Sequence, residues 1–163
     1  MSIAKKILVG FLVPLFILWV FRGSIYTLFV PKIYSSKVKL AQAEELDAYK
    51  VIFDTRSIDE FRISHIEGAQ YLGFDDFESN FNSSIPKDEP ILVYCSVGYR
   101  SEIIALKLKN MGYTRVLNLN GGIFGWLNKG NKLVNLDGTT TENIHPYNNF
   151  WGFWLVKGNK VYP

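Results

Sequence analysis

Cys95 is the single cysteine among 163 residues, and it stands at the junction of two contrasting stretches. Before it runs ILVY (91–94), continuously apolar, as a strand buried on both faces of a parallel sheet is. After it come Ser96, Val97, Gly98, Tyr99, Arg100 and Ser101. A thiol at the carboxyl end of a buried strand lies where open α/β sheets bind their ligands. Where such a strand turns into a helix, the backbone N–H groups of 96–101 converge on one concavity, and the helix N-terminus adds partial positive charge. That cradle holds an anion and favours thiolate over thiol. Gly98 permits the sharp path of the arc. Arg100 offers a fixed cation to the sulfur or to an oxyanion of a bound reactant. The chemistry indicated is nucleophilic, with Cys95 attacking and residues 96–101 holding what is attacked. An inert cysteine acting as a small hydrophobe leaves unexplained why serine, glycine and arginine follow it at a helix start.

The rest of the composition narrows the alternatives. One cysteine cannot close an internal disulfide and lacks the companions of a Cys-rich zinc site, so the expectation is a free thiol and no metal. Net charge is +3 with the basic residues scattered, which excludes the charged stripe of a nucleic-acid binder. A hydrophobic share of 48% and a charged share of 20% describe a globular chain with room for one domain and an appendage.

The elements that position Cys95 follow from patterning. Residues 40–49 (LAQAEELDAY) are rich in helix formers. VIF (51–53) reads as a short buried strand ending at Asp54. Ser57 with Glu60 three residues on has the spacing of a capping box and starts a short helix to Ile63, followed by a turn at 65–69. Residues 74–90 are a polar, aromatic-dotted loop with room for one helical turn. A helix is expected from Tyr99 to Met111, with Ile104, Leu108 and Met111 on its apolar face. Another strand follows at 116–119, then Gly121-Gly122 and a short apolar turn to Leu127. Strands alternating with helices predict a doubly wound, mostly parallel α/β sheet of about five strands flanked by helices, preceded by an N-terminal hydrophobic helix. Asp54, Arg56, Glu60 and His65 read as ion pairs and hydrogen bonds that fix loop geometry, with Asp54 and Arg56 as structural supports.

Residues 7–21 (ILVGFLVPLFILWVF) are uncharged, and the run approaches a membrane-spanning length of about 20 residues when Arg22 snorkels. No small-residue cleavage site follows it, so a retained anchor is favoured over a cleaved signal peptide. The sequence divides into an anchor or signal-like helix (1–30), a polar, basic tether (31–39), a domain (40–131) and an aromatic-rich extension (132–163). Arg22, Lys32, Lys37 and Lys39 after the run favour a cytoplasmic domain, whereas the signal-like start favours an extracytoplasmic one. Phe150, Trp151, Phe153 and Trp154 are expected to pack as a flap, with lipid or partner contact as the alternative.

Residues 91–101 (ILVYCSVGYRS) resemble the active-site loop of the rhodanese family of sulfurtransferases. Residues 51–69 (VIFDTRSIDEFRISHIEGA) resemble its first motif, and Gly112-Tyr113 with 116–126 (VLNLNGGIFGW) its closing strand and Gly-Gly turn. The resemblance implies a rhodanese-like domain in which Cys95 takes sulfane sulfur from a donor such as thiosulfate, carries it as a persulfide, and passes it to a thiol or cyanide-like acceptor, without a cofactor. Family relatives that act on phosphate or arsenate have a loop one residue longer, with arginine six positions past the cysteine. Arg100 is five past Cys95, so the phosphatase or arsenate reductase reading is disfavoured. A non-enzymatic sulfide-sensing or protein-docking module is the remaining alternative, and an intact Cys95, Gly98 and Arg100 argue against it.

Overall fold

The computed structural model describes residues 3–33 and 37–162, so 1–2 of the expected anchor and 34–36 of the expected tether lie outside the described residues. Strands β1 (Lys39–Ala41), β2 (Val51–Asp54), β3 (Gln70–Tyr71), β4 (Ile91–Tyr94) and β5 (Val116–Leu119) form one sheet, all parallel, in the order β1, β5, β4, β2, β3. Helices α1 (Ile3–Phe29), α2 (Ile58–Ile63), α3 (Phe77–Asn80), α4 (Tyr99–Asn110), α5 (Gly122–Asn128) and α6 (Asn149–Gly152) complete the main architecture. The expected doubly wound sheet of five strands with an N-terminal apolar helix is thus present.

Every residue of β4 is fully buried, because a central parallel strand is covered on both faces. Side-chain alternation divides it between two cores. Leu92 and Tyr94 pack with α5, the end of α1 and the C-terminal extension, whereas Ile91 and Val93 pack with α3 and α4. Strand β2 and helix α2 start and stop as the sequence predicts. Ser57 caps α2, accepting from the Glu60 N–H while the Glu60 carboxylate accepts from the Ser57 N–H.

Three local expectations need correction. Residues 40–49 do not form one helix: Lys39–Ala41 pairs with Leu117–Leu119 as edge strand β1, and Ala43–Ala48 is a 3-10 helix. Helix propensity is a weak preference, and the unpaired edge of β5 overrides it. Met111 is exposed rather than on the buried face of α4, since the helix has ended at Asn110. The apolar stretch after the Gly-Gly pair is helix α5, not a turn.

The end of helix α1 packs against the domain. Tyr26 and Val30 are buried in the same core as Leu92 and Phe124, and the Tyr26 hydroxyl donates to the Gly121 carbonyl at 2.6 Å. Two small sheets finish the chain: β6 (Leu133–Val134) with β7 (Thr140–Thr141), antiparallel, and β8 (Asn143–Ile144) with β9 (Asn159–Lys160), parallel.

Candidate active site

Cys95 follows β4 directly, and its loop is held from both sides. The Cys95 and Ser96 carbonyls accept from the Ile123 and Phe124 N–H groups at 2.9 and 3.1 Å, so the first turn of α5 grips the loop from below. Gly122 allows that approach: a Cβ there would collide with the Cys95 carbonyl oxygen and sit 2.8 Å from that of Ser96, and its φ of +57° already disfavours any side chain. On the other side, Asn118 of β5 donates to the Gly98 carbonyl at 2.8 Å and accepts from the Ser101 hydroxyl at 2.7 Å. Gly98 caps α4 with φ of 108°, and its N–H donates to the Cys95 sulfur at 3.1 Å. The N–H groups of Tyr99, Arg100 and Ser101 head α4 and have no acceptor within it. The sulfur therefore sits beside the positive end of a helix.

Gly122→Ala is expected to shift this loop as a unit. The collision is with backbone, so only main-chain movement relieves it. The result expected is a loss of Cys95 reactivity toward iodoacetamide and a destabilisation of about 1–3 kcal/mol from overpacking, read by alkylation kinetics and urea unfolding.

The electrostatic centre is Glu60, reached by both Arg100 and Ser96. Its carboxylate accepts two bonds from Arg100 Nη2 at 3.0 Å and one from the Ser96 hydroxyl at 2.8 Å. Burial pushes the Glu60 carboxyl up, but Arg100 and Arg56, together with the Ser57 N–H and the Ser96 hydroxyl, outweigh it and hold the group below the ordinary glutamate value of 4.5. Arg100 is raised in turn: burial opposes its charge, and the negative charge of Glu60 and then of Cys95 favours it. Its guanidinium is thus not turned wholly to the sulfur. It ties α4 to α2, lies 4.9 Å from the Tyr147 ring centroid, and still lines the pocket above Cys95.

Stability should therefore depend on pH with a definite sign. Glu60 has a lower value folded than unfolded, so its contribution is present above about 4.5 and is lost as pH falls through the folded value. Glu60→Gln is expected to cost roughly 1–3 kcal/mol near neutrality, and the gap from wild type should close as pH falls below 4.5 and through the folded value. Urea midpoints across pH 3–7 measure it. A gap that stays constant would show that the carboxylate charge contributes nothing.

Asp54 and Arg56 form a fully buried pair. Arg56 Nη2 lies 2.7 Å from Asp54 Oδ2 and donates to the Ser64 carbonyl at 2.6 Å, joining the end of β2 to the end of α2. His65 stacks on Phe61 with ring centroids 4.1 Å apart. His145 is buried, and its Nδ1 accepts from the Tyr147 N–H.

A pocket of about 240 Å³ lies over Cys95, lined by Ser96, Val97, Tyr99 and Arg100 from the loop and by Ile33, Tyr147 and Trp151 from outside it. Cys95 itself is only 1% exposed, so the thiol is reached through this pocket. Tyr147, at φ of 66°, and Trp151 make the extension a partial roof. Sequence reasoning missed Asn118, Ile33, Tyr147 and the central place of Glu60. A lone asparagine inside the apolar run VLNL was the one local signal for the first.

A thiol at the carboxyl end of a parallel strand, beside a helix N-terminus in a lined pocket, places this chain among α/β proteins with a strand-to-helix cysteine loop. Residues 38–129, more than half of the chain, match the family model described as rhodanese-like domain, and the chain belongs to that family. It is 45% identical over 56 residues to a sulfurtransferase of Allochromatium vinosum, covering 34% of this chain and 52% of that protein. It is 36% identical over 73 residues to thiosulfate sulfurtransferase GlpE of Tolumonas auensis, covering 45% and 68%. The chain thus spans about half the length of the first relative. Among solved structures, a thiosulfate sulfurtransferase from Pseudomonas aeruginosa superposes with a TM-score of 0.55 at 27% identity, over 60% of this chain and 20% of that one. A rhodanese-like domain protein from Staphylococcus aureus gives 0.52 at 26%, over 60% and 98%.

Proposed function

We propose that the protein is a sulfurtransferase that carries sulfane sulfur as a persulfide on Cys95, held at a membrane by α1. The observation that carries the reading is the Cys95 sulfur, seated at the N-terminus of α4 with the Gly98 N–H directed at it and a pocket above it. In the first step the thiolate attacks the outer sulfur of a thiosulfate-like donor. A sulfur–sulfur bond forms to Cys95, the donor's own sulfur–sulfur bond breaks, and sulfite leaves with the electron pair. In the second step a nucleophilic acceptor, a thiol or cyanide, attacks the outer persulfide sulfur and the Cys95 thiolate departs. No oxidant or reductant is consumed. The helix N-terminus and the loop amides stabilise anionic sulfur at both stages. Asp54 and Arg56 support the loop without touching the sulfur, and Ser96 through Ser101 form the donor-binding arc.

Membrane attachment rests on α1: the window 10–29 meets the length and composition of a bilayer-crossing helix, its residues Phe11 to Phe21 are exposed, and its last turns, with Tyr26, enter the domain core. A signal sequence passes the same test of length and composition.

The test uses the full chain in detergent, since Tyr26 and Val30 belong to the core. Incubation with thiosulfate alone is expected to add one sulfur atom to the intact protein by mass spectrometry. Cyanide should then remove it and release an equal amount of thiocyanate. A folded protein that gains no sulfur would favour the docking-module reading, and release of phosphate from aryl phosphates would favour the phosphatase one.

A further inference from the structure

We infer that the exposed aromatic face made by the end of α1 and the C-terminal extension rests on the headgroup layer of a bilayer, with the Cys95 pocket opening beside it. This rests on the reading of α1 as a membrane helix and goes beyond it, because an anchor alone leaves the orientation of the domain free.

The extension is fixed against α1 at the level where its uncharged run 7–21 gives way to Arg22. The Arg22 guanidinium lies 5.1 Å from the Trp19 ring centroid and 5.9 Å from that of Phe153. Val156 packs where a side chain on Gly23 would stand, with Cγ1 3.2 Å from that position. The extension is also pinned to α5: Asn128 donates to the Trp154 carbonyl at 3.0 Å and accepts from the Val156 N–H at 2.9 Å. Phe153 and Trp19 therefore share one depth. Arginine over tryptophan at the end of an apolar helix is the arrangement that seats in the interface, the guanidinium snorkelling toward phosphate.

The apolar surface continues from there. Phe150 and Phe153 from the extension, Leu28 and Phe29 from the end of α1 and Ile33 from the 3-10 turn that follows it (Val30–Ile33) are all exposed, although Trp151 and Trp154 beside them are partly buried. Aromatic side chains held in place with so little cover mark an interaction surface. The occupant is a bilayer rather than a second protein because this surface is continuous with α1, whose exposed residues from Phe11 to Phe21 themselves require lipid. Arg22, Lys32 and Lys160 border it and suit anionic headgroups. Lys160 lies close enough to Arg22 for their repulsion to add to burial in depressing its pKa.

Two side chains connect this face to the chemistry. Ile33 and Trp151 line the pocket over Cys95 and also the apolar cleft between α1 and the extension. Tyr99 and Tyr147 stand exposed at the pocket. On this geometry reactants approach Cys95 along the headgroup layer. The opposite pole, around Asp88 before the start of β4, points to the aqueous phase.

The experiment places an environment-sensitive nitrobenzoxadiazole label on single cysteines in a Cys95→Ser background. The full chain is held in nanodiscs of phosphatidylcholine and phosphatidylglycerol, with or without a nitroxide on the lipid acyl chains near the headgroup. Labels go at Phe150→Cys, Phe153→Cys, Val13→Cys and Asp88→Cys; the melting curve of each confirms folding, and the two extension sites back each other up. The result expected is blue-shifted emission and nitroxide quenching at 13, 150 and 153, with neither at 88. Quenching at 13 alone would overturn the inference while leaving the anchor intact. A blue shift at 150 and 153 without quenching would assign the face to a second protein copy and overturn it likewise. No quenching at 13 would remove the anchor, and the inference with it.

Discussion

Cys95→Ser is expected to abolish sulfur transfer while leaving the fold in place. The hydroxyl is smaller than the thiol and so collides with nothing, and it still offers the Gly98 N–H an acceptor, so the melting midpoint should move little. The chemistry has no such tolerance. A hydroxyl ionises far less readily than a thiol, and an oxygen–sulfur bond offers no persulfide for an acceptor to attack. The whole rate enhancement should vanish, on the order of 10⁶-fold or more and bounded in practice by the assay. Thiocyanate release from thiosulfate and cyanide measures the rate, and intact mass measures the added sulfur. Retained turnover in the serine variant would remove Cys95 from the mechanism outright, since this is the chain's one cysteine.

Asp54→Ala should be the most damaging single change to stability. Arg56 is wholly buried, its Nη1 is without a hydrogen-bond partner among the described residues, its other guanidinium hydrogen bonds go to Asp54 and the Ser64 carbonyl, and it lies 5.9 Å from the Tyr94 ring centroid. Removing the carboxylate takes away the group that holds Arg56 up against burial, and it strands a cation, because a guanidinium stays protonated throughout the ordinary pH range. The cost expected is about 3–5 kcal/mol. The double variant Asp54→Ala, Arg56→Met should recover much of it, because removing both charges leaves no uncompensated ion. Urea unfolding of the two variants decides the matter. Equal destabilisation would show that packing around β2, rather than the ion pair, sets the cost. Turnover per folded molecule should change less than stability, since the pair bonds the end of β2 to the end of α2 and the sulfur is held by the Gly98 N–H.

The two effects separate what the site needs. In the proposed reaction Cys95 supplies the bond, and its loop is assembled by α5 from below, Asn118 from β5 and Glu60 from α2. Arg100 joins that assembly more than it reaches for the sulfur, so its replacement bears on loop position as well as on anion binding.

What the sequence determined by itself is what neighbouring residues settle among themselves. ILVY is apolar at every position, so β4 is buried on both faces, and Cys95 at its end is a feature of order along the chain. Ser57 and Glu60 close a capping box across one helical turn, and Gly98 starts α4 with a backbone angle open to few other residues. Tertiary structure decided every pairing across distance. Lys39–Ala41 became a strand because β5 offered an open edge, against the helical preference of the adjoining AEELDA segment. Arg100 met Glu60 forty positions away, and Tyr26 met Gly121 ninety-five away. Tyr147 and Trp151 came to roof a thiol some fifty residues behind them. Propensity, capping and periodicity act over a few residues and leave a local trace. Ion pairs, pocket walls and edge pairing are fixed only when the folded chain brings distant groups together and removes them from water.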